Sequence, residues 1–245
     1  MRISKAWIIA SKDFKTFKKR RNILNSIIGF VLVVSIGLPF IIEFIIVKAK
    51  NPAALVLPGL ISAFSFWFVI GAAFVPISIA SYSLVGEKIQ KSLEPLLAAP
   101  VTDSEILAGK SIAAFIPAIA SIYIGGVIFM LLVDLFTFGK LGYLFFPNWN
   151  IGIILLLVAP LACILSIGVN VLISSRSNDI RSAQQLGSLA LLPFAVVYFL
   201  SEFNIISLTI TNLLIMSAVL FVINIIIFYI VKSTFQREEI LTKWK

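Results

Sequence analysis

The chain has 245 residues, 60% of them hydrophobic and only 13% charged, with a mean hydropathy of +1.08. This excludes a soluble globular domain, and the chain reads as an integral membrane protein. The net charge is +9, with no histidine and one cysteine, Cys163, which excludes metal sites built on His or Cys pairs and any intrachain disulfide.

Residues 1–22 carry eight Lys and Arg against one acid, Asp13. Ile3, Trp7, Ala10, Phe14 and Phe17 recur at helical spacing with Lys5, Lys12, Lys15 and Lys19 opposite. The pattern predicts an interfacial amphipathic helix along the inner leaflet, lysines toward anionic headgroups. The first span is expected over residues 23–47, too long an apolar run for a cleavable signal. The second is expected over 61–85, after a lead-in at 55–59 broken by Pro58, and Pro76 should kink it. Its hydroxyls, among them Ser62, Ser65, Ser78 and Ser81, either line a path or bond across helices.

Residues 86–110 form a charged segment between two apolar runs and must lie outside the hydrocarbon. Residues 86–93 read as helix, which Pro95 ends or kinks. Leu93, Leu96 and Leu97 make a small apolar knob closed by Pro100, and Thr102-Asp103-Ser104-Glu105 fits a capping box that starts a new helix. The third span follows over 111–136, bent at Pro117. The aromatic-rich stretch after it, with Tyr143 and Trp149, marks the outer headgroup level. The fourth span is expected over 151–173, a short polar loop holds Arg176, Asp179 and Arg181, and the fifth and sixth spans are expected over 182–200 and 206–231. A tail over 232–245 ends the chain. With both termini inside, seventeen of the twenty Lys and Arg fall on inner segments and three, Lys48, Lys50 and Lys140, on outer ones. The positive-inside rule therefore orients the chain N-in/C-in. The fold class is an all-α integral membrane protein, one transmembrane domain of six helices, multi-pass in the plasma membrane.

Gly109-Lys110-Ser111 has the ending of a phosphate-binding loop, but Ser104 stands where that loop needs its first glycine and no strand precedes it. No ATPase is expected in this chain, and Lys110 reads as a boundary lysine at the base of the third span. Ion-coupled carriers place ionisable residues at mid-membrane depth. Here the most polar deep residues are Asn170 and Asn224, which join the serines as candidate path-lining groups. Without such a relay, transport needs an external energy source.

Glu87-Lys88, Leu93-Glu94-x-Leu96-Leu97, Pro100 and Glu105-Ile106-x-x-Gly109-Lys110 resemble the cytoplasmic loop of type-2 ABC permeases, the membrane subunits of ATP-binding-cassette exporters. The likeness extends to the basic lead-in, to residues 176–185 and to Phe235-Gln236-Arg237-Glu238-x-Ile240-Leu241 in the tail. Lys91-Ser92 stands where the family often has Gly-Thr. The resemblance implies an exporter permease that couples through Glu87, Lys88, Leu93, Glu94, Pro95, Leu96, Leu97 and Pro100 to a separate ATP-binding-cassette ATPase. ATP and Mg would bind that partner, with no cofactor on this chain, and a second permease chain, identical or related, would complete the path. Cargo without buried counter-charges would be lipophilic or amphipathic. The alternatives are an ion-coupled carrier or channel, supported by six spans alone, and a non-transporting membrane assembly factor, supported by the basic N-terminal helix.

Overall fold

Six helices of the computed structural model are long and apolar enough to cross a membrane: Ile23–Ile45, Leu57–Glu87, Asp103–Gly139, Trp149–Arg176, Ile180–Glu202 and Ile210–Thr234. They are called the first to sixth spans below. The structure describes residues 3–18, 20–48, 53–89, 100–177, 179–203 and 205–234, and no strand occurs among them. The chain is an all-helical, multi-pass membrane protein. A further helix, Ile3–Lys18, precedes the spans.

Prolines dictate much of the backbone detail. A proline lacks the N–H that would bond the carbonyl four residues back, and its ring crowds that carbonyl. For Pro39, Pro160 and Pro193 those carbonyls belong to Ser35, Leu156 and Leu189. Each lies inside an irregular turn: wide turns at Val33–Gly37 and Ile154–Val158, and a tight one at Ser188–Leu191. The helices absorb the missing bonds by changing pitch locally rather than by breaking.

Pro58 behaves differently from the sequence expectation. It does not break the lead-in, because it lies near the start of the continuous helix Ala53–Ser65, where one ladder bond is lost. The interruption falls instead at Phe66, a fully buried residue whose N–H turns back to Ala63 O at 3.1 Å. Pro76 stays inside the unbroken helix Trp67–Ile89. The nearby Ala73 carbonyl accepts from Ser166 Oγ of the fourth span at 2.6 Å.

The capping box forms as its residues require. Thr102 Oγ1 accepts from Glu105 N at 3.3 Å and Glu105 Oε2 accepts from Thr102 N at 3.0 Å. The helix they start, Asp103–Leu141, runs for 39 residues, about 58 Å at 1.5 Å per residue. That is well beyond a hydrocarbon core of about 30 Å, so the helix projects past it. At its far end Gly142 takes a left-handed φ of 71° and stops it. Asp134 Oδ1 holds the following turn by accepting from Phe145 N and Phe146 N at 2.8 and 3.1 Å.

The second and fourth spans form the centre, with the third, the sixth and the start of the fifth packed around them. Ser81 Oγ donates to Asn170 Oδ1 at 3.0 Å, and Asn170 Nδ2 donates to Ser166 O at 2.8 Å. Gly187 brings the fifth span against that amide so closely that a Cβ would lie 1.9 Å from Asn170 Oδ1. Phe40, Phe44, Leu214, Phe221 and Phe228 remain exposed on the outer helices, an apolar surface suited to lipid.

Candidate functional site: an ion-pair cluster at the base of the charged loop

Both ends of the charged loop meet the N-terminal helix at one buried cluster. Lys110, from the start of the third span, is 1% exposed. Its Nζ lies 2.8 Å from Glu87 Oε2 and 3.7 Å from Asp13 Oδ2. It also donates to Ser83 O at 2.8 Å and to Ser83 Oγ at 3.3 Å. Ser83 Oγ donates in turn to Asp13 Oδ2 at 3.1 Å. Lys12 Nζ closes the group from its half-exposed side, 3.0 Å from Glu87 Oε1. Two carboxylates thus face two ammonium groups, which lets ionised side chains survive away from water. Burial pushes the Asp13 carboxyl above its ordinary value. The pull of Lys110 and the Ser83 hydrogen bond oppose that shift, and the Glu87 charge reinforces it.

Small residues allow the approach. Ala6 and Ala10 on the N-terminal helix, and Gly109 and Ala113 on the third span, are four apart on each helix, and both pairs are buried. A Cβ on Gly109 would lie 2.7 Å from Ala6 O and 2.8 Å from Ile9 Cβ. This is the small-residue contact by which helices in membranes approach closely. The face of the N-terminal helix against the protein carries Ala6, Ile9, Ala10, Asp13 and Phe17, while Trp7 and Ile8 are exposed. Trp7 packs edge-on against Phe14 at 6.3 Å. Lys5 Nζ donates to the Pro100 carbonyl, which ties the same helix to the far end of the loop.

Of the residues expected to couple, Glu87 belongs to this cluster and is turned inward, 9% exposed. It is held by Lys12 and Lys110. Lys110 is no surface boundary lysine: Glu87, Asp13 and Ser83 draw it inside. Lys88 lies on the helix Trp67–Ile89. Leu93, Glu94, Pro95, Leu96 and Leu97 lie outside the described residues, as does the tail motif at 235–241. Arg176 ends the fourth span and is exposed. Asp179 caps the fifth, accepting from Ser182 N at 3.0 Å, and that backbone N–H, first among its partners, lowers its pKa. Arg181 follows, exposed.

Several hydroxyl and amide candidates make hydrogen bonds within the fold, and Asn224 also lines an apolar groove between the third, fourth and sixth spans. Ser65 Oγ donates to Ile61 O at 2.8 Å, and Ser81 and Asn170 bond each other. Ser62 is half-buried, and Ser78 opens into a separate pocket beside Arg20 and Arg181. Asn224 Nδ2 fastens the sixth span to the fourth through Leu161 O at 3.0 Å.

The sequence reading gave Asp13 no partner, whereas Ser83 is one of the second-span hydroxyls expected to line a path or bond across helices, and it bonds across to Asp13. The signal for Asp13 was present: it is the sole acid among eight cations, and Ala6/Ala10 and Gly109/Ala113 share one spacing. Among the described residues no group of His, Cys, Asp and Glu could hold a metal.

No family model matches the chain, and no curated protein matches it.

Proposed function

We propose that the chain is the permease subunit of an ATP-binding-cassette exporter, N-in/C-in in the plasma membrane. In this reading the 86–110 loop takes up the movement of a separate ATPase, and a second permease chain faces this one across the path. One observation carries it. Glu87 and Lys110, at the two ends of the loop, are bonded at 2.8 Å, and Lys12 and Asp13 add the N-terminal helix to the same cluster. Force applied to the loop would reach the second span, the third span and the N-terminal helix together, as a lever requires. The loop motif adds the partner: leucines at 93, 96 and 97 within a charged segment call for a cover. Burying them is worth about 1.5–3 kcal/mol each.

The cargo is lipophilic or amphipathic. An apolar groove of about 450 Å³ runs between the third, fourth and sixth spans, and Lys232 is its one charged lining residue. The reading is tested by co-expressing the chain with ATP-binding-cassette ATPase subunits of the same genome. Leu96→Asp/Leu97→Asp should strip the ATPase from the purified complex. Glu94→Ala should leave it assembled but end cargo stimulation of ATP hydrolysis. Normal co-purification and normal transport by both variants would remove the loop as the coupling element.

A further inference from the structure

We propose that the pocket between the starts of the first and fifth spans and the end of the second binds the phosphate of an anionic lipid. The pocket encloses about 580 Å³ and is lined by Arg20, Arg21, Tyr82, Ser78, Arg181 and Gln184, with Asp179 as its one acid. Three arginines from two elements far apart in the chain line one cavity. Among the described residues every ion pair is made by Lys12 or Lys110, and none uses an arginine. With the Ser182 backbone N–H, Arg181 helps to hold the Asp179 carboxyl below its ordinary value, and Arg20 lies over the Tyr82 ring, so three positive charges in this pocket face one carboxylate. Asp179 is already committed to the backbone N–H and hydroxyl of Ser182.

The geometry suits a phosphodiester. Arg20 is fixed by stacking on the Tyr82 ring, its guanidinium carbon 3.9 Å from the centroid, which leaves the planar donor fork free to meet two oxygens. No side chain caps the helix that Arg20 begins. Ser78 and Gln184 add neutral hydrogen-bonding groups, and Ile23 and Ile180 give an apolar wall. The pocket lies beside the ends of three spans, where a headgroup would reach it with its chains still in the bilayer. That placement favours a lipid over a free phosphate ester. Basic pockets between spans are the recurring recognition mode for such headgroups. The inference rests on the six-span reading and not on the export function.

The test uses the full-length protein in neutral detergent, with lipid retention read by native mass spectrometry. Phosphatidylglycerol should be retained over phosphatidylcholine. Arg181→Gln, at an exposed helix start, should fold normally and weaken phosphatidylglycerol binding about fivefold, with a similar further loss on adding Arg20→Gln. Lys15→Gln/Arg176→Gln removes the same charge elsewhere and should leave binding unchanged. Equal losses from the two pairs would overturn the proposal in favour of diffuse surface charge. Indifference of the wild-type protein to the two lipids would overturn it outright. Competition of inorganic phosphate with phosphatidylglycerol at equal concentration would overturn the lipid as the source of the anion.

Discussion

Replacing Lys110 with methionine tests whether the cluster holds the loop base together. Methionine keeps the length of the side chain and removes its charge. Lys110 Nζ has four partners within 3.7 Å, and the side chains of Glu87 and Asp13 are only 11% and 7% exposed. Without the ammonium, Glu87 keeps the half-exposed Lys12, and Asp13 keeps Ser83 Oγ. Removing one partner of a buried ion pair costs about 3–5 kcal/mol, because the other charge is left uncompensated. For a chain of this size, with 2–4 °C lost per kcal/mol, that is a fall in melting temperature of about 6–20 °C. Cys163 supplies the assay: it is the only cysteine and is fully buried, so a thiol-reactive fluorogenic maleimide reports its exposure on heating. The deficit should shrink as the pH is lowered and the stranded carboxylates take up protons. Lys110→Met/Glu87→Gln/Asp13→Asn should regain most of the loss, since a neutral cluster carries no stranded charge. Melting of Lys110→Met within about 2 °C of wild type, or no recovery in the triple variant, would refute the reasoning.

Three further outcomes are expected. Asp13 has a raised folded pKa, so the stability it contributes is full below the ordinary value of 3.8 and is lost as the pH rises through the folded value. The melting temperature of wild type relative to Asp13→Asn should therefore be highest in acid and fall toward neutrality, and a difference that grows with pH would show that the pull of Lys110 outweighs burial. Gly109→Leu would drive a side chain into Ala6 O, a backbone atom 2.7 Å from the Cβ position. An overpacking cost of about 1–3 kcal/mol should displace the N-terminal helix and speed tryptic cleavage at Lys12 and Lys15, and cleavage at the wild-type rate would show that this contact does not seat the helix. In a Cys163→Ala background, cysteines at Lys140 and Ser177 should label from opposite faces of sealed vesicles, and labelling from one face would end the six-span topology.

The helices were legible because long apolar runs admit few alternatives in a bilayer, and the start of the third helix was legible because Thr102 and Glu105 satisfy each other locally. Proline effects were not legible in position. Pro58, Pro76 and Pro117, read as breaks or bends, lie inside continuous helices, whereas the changes of pitch fall before Pro39, Pro160 and Pro193, for which the sequence reading expected none. The ion-pair cluster was least legible. It joins residues 13, 83, 87 and 110, and nothing local marks a lysine as buried until its partners are placed around it. The side by which the N-terminal helix docks was not legible either. Periodicity reports which side is apolar, but the small residues on both helices and the charge of Asp13 accompany the docked face.

The union of Asp13 with Lys110 also bears on the order in which the protein is built. Asp13 is synthesised early and Lys110 only after two spans have been made. Until the third span arrives, burying Asp13 would strand a carboxylate without its ammonium, at a cost of several kcal/mol. The N-terminal helix therefore has to wait in contact with water or headgroups while the first hairpin inserts. It can dock only when the third span presents Lys110 beside Gly109. Its docking thus makes a checkpoint in biogenesis: a nascent chain whose third span is missing or misplaced leaves its first helix undocked, with the cleavable lysines of that helix open to quality-control proteases.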